Sequence, residues 1–250
     1  MLFRSVKRIQ SLFQGTLVAQ GAFSLYDRKT GDVEKVFELD YNRELDNLYI
    51  GLEDVRLFQH KGKVYFTANR GLPEGHGARM AIEFGTINLE TGKTESTLLK
   101  GNPIEKNWTL YEDAHGALKM VYGWYPFTLY DPDQEKKIVV QDCKELPPFF
   151  KNVRGSCNGI RVESEIWFLC HTVSYEDRRY YYHIIIALDA ETGKVKRWTK
   201  YFTLEGKQVE YVLGFLYDNY CDNFSIGYSV MDKTTEIIQT HKRYLDILFV

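Results

Sequence analysis

Charged side chains stand at four points in the sequence where a buried strand would normally be apolar. The segments "GLEDVR", "EKNW", "VRGS" and "VEYVLG" begin at residues 51, 105, 153 and 209, so they recur every 48 to 56 residues. In the first segment Glu53, Asp54 and Arg56 open a run that continues as an apolar strand. If the four points meet in one partly dehydrated pit, their acids and bases will shift one another's pKa values, and such clusters mark functional sites.

The candidate residues at and near these points fall into two classes. The candidate acids and bases are four carboxylates: Glu53, Asp54, Glu105 and Glu210. The candidate binding side chains supply positive charge, hydrogen bonds or an aromatic face: Arg56, Lys106, Asn107, Trp108, Arg154, His171 and His183. The alternative is structural, because ion pairs between neighbouring units fix geometry, the histidines can be hydrogen-bonded strand residues, and an aromatic side chain near an inner strand can belong to the core.

A repeat of about 50 residues supplies the elements that would position these side chains. Three turn segments look alike, each with a Thr-Gly pair between strand-like runs: "YDRKTGDV" at 26–33, "NLETGKTE" at 88–95 and "LDAETGKV" at 188–195. Short strands follow each polar marker without a long amphipathic helix, which favours an all-β fold. Up to four strands per repeat is typical of a propeller blade, whereas a two-sheet sandwich would lack the long-period markers.

The four markers predict blades that begin near residues 51, 105, 153 and 209, each with its first strand lining a central channel. Residues 17–40 add the strands of a fifth, abbreviated blade. We therefore predict an all-β, five-bladed propeller over residues 17–250, with a four-bladed ring as the alternative.

The first 16 residues form a separate segment in this prediction. Apolar residues recur there at helical spacing, opposite a basic side: Leu2, Val6, Ile9 and Phe13. This pattern predicts a short amphipathic N-terminal helix that docks on the propeller or, through residues 1–14, makes weak peripheral contact with a membrane.

The composition excludes several classes of function. The 250 residues carry a net charge of −2, so the chain has no basic excess for binding nucleic acid. No apolar run approaches the ~18 residues of a membrane span. The four cysteines lack C-x-x-C pairs and zinc spacing, which predicts reduced thiols, a cytoplasmic location, and no metal or cofactor: Cys143, Cys157, Cys170 and Cys221.

The marker segments carry a resemblance to a known family. "GLEDVRLF" resembles the G-x-E-D-P-R segment of the five-bladed propellers of β-mannoside phosphorylases and hydrolases, with Val55 in place of proline. The runs "EKNWTLYED", "VRGSCNGI", "YYYHIIIALD" and "VEYVLGF" are similar to propeller domains found alone or fused to glycosyltransferases in large DNA viruses and microbes. The resemblance covers roughly residues 17–250.

This resemblance implies chemistry on a glycan, with a sugar donor and a glycan acceptor as partners. Glycosidic bonds are made and broken through an oxocarbenium-like state, which calls for a carboxylate and an acid. The four candidate carboxylates supply these groups, and Arg56, Lys106 and Arg154 supply cations for a phosphate leaving group. We expect a glycosyltransferase in glycan assembly; the alternatives are a hydrolase or phosphorylase of β-linked glycosides and a non-catalytic carbohydrate-binding propeller.

The sequence departs from the family pattern ahead of residue 51. Relatives carry a full blade there, and in the phosphorylases that blade holds a catalytic Asp. Four aspartates lie in the corresponding region, but none stands in a matching motif: Asp27, Asp32, Asp40 and Asp46. The resemblance therefore assigns no catalytic residue to this region.

Overall fold

A computed structural model describes residues 2–13, 16–26, 33–46, 51–99, 101–175 and 177–250, with side chains from residue 39 onward. The chain divides into two compact units, Met1–Asn107 and Trp108–Val250. Each unit consists of antiparallel sheets, in which most strands pair with their sequence neighbours.

The first unit contains a three-stranded and a four-stranded sheet. The strands of the three-stranded sheet are β1 (Leu2–Phe13), β2 (Thr16–Tyr26) and β3 (Val33–Glu38). The strands of the four-stranded sheet are β4 (Leu52–His60), β5 (Lys63–Gly71), β6 (Met80–Ile87) and β7 (Thr94–Leu99). The core of this unit is apolar and buried, with Phe66 and Ala68 of β5 at its centre.

The predicted N-terminal helix is wrong, because residues 2–13 form strand β1. The strand pairs with β2 from Leu2 opposite Tyr26 to Phe13 opposite Thr16. A 12-residue segment is too short to hold a stable helix by itself, whereas the adjoining strand offers a ladder of backbone hydrogen bonds. The side chains of this segment, and with them the predicted membrane contact of residues 1–14, lie outside the described residues.

The second unit contains three sheets. The first has strands β8 (Thr109–Glu112), β9 (Leu118–Trp124), β10 (Phe127–Asp131) and β11 (Lys136–Gln141). The second has strands β12 (Arg154–Gly155), β13 (Ile160–Val162), β14 (Glu165–Tyr175), β15 (Arg179–Asp189) and β16 (Val195–Trp198). The third has strands β17 (Glu210–Asp218), β18 (Asn223–Val230) and β19 (Thr234–His241).

Three short helices complete this unit. Two 3-10 turns, Cys143–Glu145 and Pro148–Asn152, connect the first two of its sheets. Helix α1 (Lys242–Asp246) follows β19. The last residues then return to β16, where the Val250 N–H donates to the Trp198 carbonyl. This pairing covers backbone groups beside the short β16 edge, which would otherwise be open to association.

The middle sheet of the second unit is buried on both faces. Successive residues of a strand point to opposite faces, and in β14 both faces are apolar. Ile166 and Phe168 belong to a core shared with the β8–β11 sheet. Trp167 and Leu169 belong to a core shared with the β17–β19 sheet, where the Trp167 ring stacks on Phe224. Burying each such side chain contributes about 1.5–3 kcal/mol, so sheet-on-sheet packing holds this unit together.

The repeated Thr-Gly turns have the same construction where the structure describes them. Gly92 and Gly193 adopt positive φ angles of 79° and 66°. In each turn a side-chain oxygen four residues earlier, on Asn88 or Asp189, accepts backbone N–H groups. The third predicted turn, with Gly31, lies outside the described residues.

The all-β prediction is confirmed. Each polar marker lies at or just before the first strand of a sheet, namely β4, β8, β12 or β17. The side chains of the first sheet fall outside the described part, and the number of blades stays a prediction.

The four cysteines are free thiols, as predicted. Within the described ranges, no helix combines the length and apolarity needed to cross a bilayer.

Close packing between β13 and β14 predicts that Gly159→Ala will destabilise the second unit. A Cβ atom at residue 159 would lie 2.5 Å from the Phe168 ring and 2.9 Å from Ile166. Overpacking of this kind costs about 1–3 kcal/mol, measurable as a lower urea midpoint. Gly123→Ala is the matched control, because no atom lies within 4 Å of its added Cβ. Equal midpoints for the two variants would contradict the packing described above.

Candidate functional site

A bulge in β4 explains why charged residues open this strand. The pairing of β4 with β5 shifts register between Glu53 and Arg56, and Asp54 adopts a φ of 52°. Because a bulge interrupts the alternation of side chains, it can redirect one of them at a functional site. Val55 and Arg56 are both buried, whereas Glu53 and Asp54 remain half-buried.

Four residues around this bulge form a closed ring of hydrogen bonds. The Asn69 Nδ2 donates to Asp54 Oδ2 over 2.9 Å, and the Asn107 backbone N–H donates to Asn69 Oδ1 over 3.0 Å. Arg56 closes the ring, since its Nη2 donates to Asn107 Oδ1 over 3.4 Å and its Nη1 donates to the Asp54 carbonyl over 2.7 Å. We call Asp54, Arg56, Asn69 and Asn107 the Asp54 ring.

Two members of the ring have left-handed backbones. Asn107 has a φ of 64°, close to the 52° of Asp54. Non-glycine residues seldom adopt this region, although Asn and Asp tolerate it best. Strained backbone of this kind concentrates at functional sites and persists where the surroundings fix it. The ring supplies that fixation by tying β4 and β5 to residue 107.

The neighbouring predicted residues of the first unit have different surroundings. Glu105 is buried, and its Oε1 accepts the Asn102 backbone N–H over 2.8 Å. A Cβ at residue 101 would lie 2.6 Å from that same oxygen, so the carboxylate also packs closely against Gly101. Glu105 thus holds the loop before β8. Lys106 is exposed, and Glu53 lies opposite Asn69 in the β4–β5 pairing.

A second charged cluster lies next to the ring on β5. The buried Arg70 contacts Asp46 over 2.7 Å and Glu83 over 3.7 Å. Tyr41 donates a hydrogen bond to Asp46, and burial together with that carboxylate raises the Tyr41 pKa to about 12. Burial raises the pKa of Glu83, while Ser96 and Arg70 oppose the shift. This cluster is a structural ion network, and Asp46 is one of its members.

In the second unit, His171 of β14 lies in an aromatic group with side chains from β15 and β17. Its ring stacks on Tyr181 with centroids 5.6 Å apart and meets the Tyr211 ring edge-on at 5.1 Å. The His171 Nδ1 lies 2.7 Å from Ser156 Oγ, so the hydroxyl fixes the orientation of the imidazole. Arg154 pairs with His171 across the sheet and is half-buried.

His183 and Glu210 form a fully buried pair in the second unit. The His183 Nε2 lies 3.7 Å from Glu210 Oε2, and neither side chain is exposed. Three backbone N–H groups, from Leu204, Glu205 and Lys207, donate to the Glu210 carboxylate. Burial opposes ionisation of Glu210, but His183 and these N–H groups lower its pKa to about 2. The Glu210 carboxylate therefore holds the loop that precedes β17.

Trp108 lies in the core of the second unit. Its side chain is 1% exposed, and its ring packs against Tyr122 and Tyr130 with centroids 5.0 and 4.7 Å apart. A ring enclosed in this way has no face available to a sugar, which matches the structural alternative for this residue.

The structure thus brings some predicted residues together and separates others by role. Asp54, Arg56 and Asn107 share one ring, although "GLEDVR" and "EKNW" are about 50 residues apart in sequence. Sequence reasoning missed Asn69, which joins them. The signal was available in "FTANRG", where Asn69 and Arg70 interrupt an otherwise apolar strand.

Comparisons with known proteins identify the fold. No known protein family and no curated protein matches the chain. A β-1,2-mannobiose phosphorylase from Listeria innocua aligns with 93% of this chain and 69% of its own, with a TM-score of 0.61 and 17% identity. A glycosyl hydrolase from Bacteroides ovatus aligns with 91% of this chain and 76% of its own, with a TM-score of 0.58 and 11% identity. A GDP-Man-dependent mannosyltransferase from Leishmania mexicana aligns with 91% of this chain and 82% of its own, with a TM-score of 0.55 and 13% identity.

These likenesses establish the fold, an all-β propeller. The relationship predicted from the sequence, to the propellers of the β-mannoside phosphorylases and hydrolases, is confirmed at the level of the fold.

The backbone at residue 107 predicts different stabilities for two substitutions. Asn107→Gly keeps a residue that tolerates positive φ, whereas Asn107→Ala adds a backbone cost of about 1 kcal/mol. Both variants lose the Arg56 contact equally, so the alanine variant should unfold at lower urea. Equal stability of the two variants would contradict the left-handed geometry.

The environment of Glu210 predicts how stability depends on pH. Its folded-state pKa of about 2 lies below the ordinary value of 4.5. The carboxylate therefore contributes stability that is fully present above about pH 4.5 and is lost as the pH falls towards 2. This contribution is on the order of 3 kcal/mol, and Glu210→Gln should remove most of it at pH 7.

Urea unfolding of wild type and variant between pH 2 and 7 measures this difference. Glu95→Gln, which alters an exposed carboxylate on β7, serves as the control and should leave the pH dependence unchanged. Parallel curves for Glu210→Gln and wild type would show that the carboxylate does not hold the loop.

Proposed function

We propose that this protein transfers glycosyl groups, most specifically mannosyl groups, to a glycan acceptor. The observation that carries the proposal is the Asp54 ring, which holds a half-buried carboxylate on a bulged strand. Two structural neighbours support the choice of sugar, because one is a mannobiose phosphorylase and another is a mannosyltransferase that depends on GDP-Man.

Asp54 is the reactive carboxylate of this proposal. Glycosyl transfer passes through an oxocarbenium-like state, in which a carboxylate can stabilise positive charge or accept the proton of the acceptor hydroxyl. Asn69 holds one oxygen of Asp54, and Glu53 is the half-buried acid that precedes it in the chain. Glu105 and Glu210 take no part in the step, since backbone N–H groups occupy them.

The cations have separate tasks in this proposal. Arg56 is 2% exposed and directs both ends of its guanidinium at ring members, so it positions the site rather than binding phosphate. Lys106 is exposed and directly precedes Asn107 in the chain, which suits it to a phosphate leaving group. Arg154, on β12 of the second unit, is left out of this step.

We propose the aromatic group of the second unit as a sugar-binding platform within that unit. Tyr181 and Tyr211 are half-buried and flank His171, whose imidazole Ser156 fixes. Aromatic faces suit the apolar faces of sugars, and a held imidazole can donate to a hydroxyl. His183 is excluded from this role, because it is fully buried against Glu210 and Phe202.

The second candidate function is phosphorolysis or hydrolysis of β-linked mannosides. It is supported by the phosphorylase and the glycosyl hydrolase among the structural neighbours. The same carboxylate would serve, but the group that receives the sugar would be phosphate or water instead of a glycan.

The test offers each possible acceptor separately. Purified protein is incubated with GDP-mannose and a mannose oligosaccharide, or with β-1,2-mannobiose in the presence and absence of phosphate. Transfer is expected to yield an extended oligosaccharide, detected by mass spectrometry. Mannose 1-phosphate or free mannose from the disaccharide would support the second candidate instead. Tight sugar binding without any product would overturn both and leave a carbohydrate-binding propeller.

Removing the charge of the Asp54 carboxylate should slow turnover strongly without unfolding the protein. Asp54→Asn preserves the shape of the side chain and removes its charge, and we expect the rate to fall about 10²- to 10⁴-fold. Asp133→Asn, at an exposed turn after β10, is the matched control and should keep the wild-type rate. An Asp54→Asn variant as active as wild type would remove Asp54 from the proposed reaction.

A further inference from the structure

Asn69 makes two side-chain hydrogen bonds beside the proposed reactive carboxylate. It lies on β5, opposite the bulge of β4, and is 2% exposed. Its Nδ2 contacts the Asp54 carboxylate and its Oδ1 contacts the Asn107 backbone. A buried amide must have its polar atoms hydrogen-bonded or lose free energy, and these two partners supply that requirement.

The orientation of this amide follows from its partners. A backbone N–H can only donate, so the Asn69 oxygen must face Asn107. The amide nitrogen then faces Asp54, whose carboxylate oxygen accepts. No flipped arrangement serves both partners, because the nitrogen would face the N–H and the oxygen would face the carboxylate. Asn69 therefore requires an acceptor at Asp54 and a donor at residue 107.

We infer that Asn69 is the positioning residue for Asp54. This inference rests on the proposed function, in which Asp54 is the reactive carboxylate. Asn69 acts through Asp54, since its own polar atoms point at protein partners and its side chain is buried. Its donor fixes one carboxylate oxygen and thereby sets the plane of the group. Its acceptor fixes Asn107, whose side chain contacts Arg56 and closes the ring.

The competing explanation is that Asn69 only anchors residue 107. Both explanations predict that Asn69→Ala destabilises the protein, so stability alone does not separate them. They differ at Asn69→Asp, which is isosteric. This variant keeps an oxygen for the Asn107 N–H but replaces the donor that faces Asp54 with a second acceptor.

The experiment measures kcat and KM for wild type, Asn69→Ala and Asn69→Asp in the transfer assay. Misplacing a catalytic group costs about 10²-fold in rate, so we expect both variants to lose about 10- to 10²-fold in kcat with little change in KM. Asn88→Ala is the control, because Asn88 holds the Thr-Gly turn between β6 and β7, and it should keep both constants. An Asn69→Asp variant with wild-type kcat would overturn the positioning role.

A second measurement does not depend on activity. The unfolding equilibrium is compared for Asp54→Ala, Asn69→Ala and the double variant. Substitutions of two residues in contact have non-additive effects on stability. The unfolding equilibrium constant of the double variant should therefore be about threefold or more below the value that the two single effects predict when they are added. Additive effects would overturn the contact itself. A wild-type protein that transfers no sugar would end the proposed function, while this cycle would still decide whether Asn69 holds Asp54.

Discussion

The hydrogen bonds of one buried amide, on Asn69, join the Asp54 carboxylate to residue 107 and complete the Asp54 ring. The amide lies between the carboxylate of a bulged strand and the backbone of Asn107, in the "EKNW" marker. A buried donor or acceptor without a partner costs about 1–3 kcal/mol. Loss of one member of the ring therefore leaves another member without its hydrogen bond. The ring explains how two left-handed residues, Asp54 and Asn107, persist outside a glycine position. A carboxylate held in this way is preorganised for chemistry, whereas the same residue on a regular strand would be one more surface acid.

The other marker carboxylates show why position in the repeat does not determine role. Glu105 accepts a backbone N–H from its own loop, and Glu210 accepts three. Both are buried, and both brace the segment that enters the first strand of a sheet. Backbone donors lower the energy of a carboxylate and keep it in place, which suits it to structure and not to proton transfer. Asp54 differs because a side chain holds it and because it stays half-buried at the end of its strand.

Much of the fold and part of the site could be predicted from the sequence. Alternating apolar runs and the Thr-Gly turns indicated an all-β repeat. Hydrogen bonds join Asp54 and Arg56 of "GLEDVR" to each other and Arg56 to Asn107 of "EKNW", while the meeting of all four markers stays a prediction. The burial of Trp108 and the loop-holding role of Glu210 could not be predicted, since spacing gives the location of a residue but not the direction of its side chain. Asn69 was missed because it lies inside a buried strand away from any marker. A helix was wrongly predicted for residues 2–13 because their apolar residues recur at helical spacing. Pairing with β2, which the sequence does not reveal, makes this segment a strand.

The central claim, that the Asp54 ring forms the reactive centre, is tested most directly by a crystal structure of the protein soaked with β-1,2-mannobiose. We expect a sugar whose glycosidic or hydroxyl oxygen lies within about 3.2 Å of the Asp54 carboxylate, with the Asn69 contact to Asp54 intact. A sugar bound to a different surface, with Asp54 contacting only protein, would contradict it.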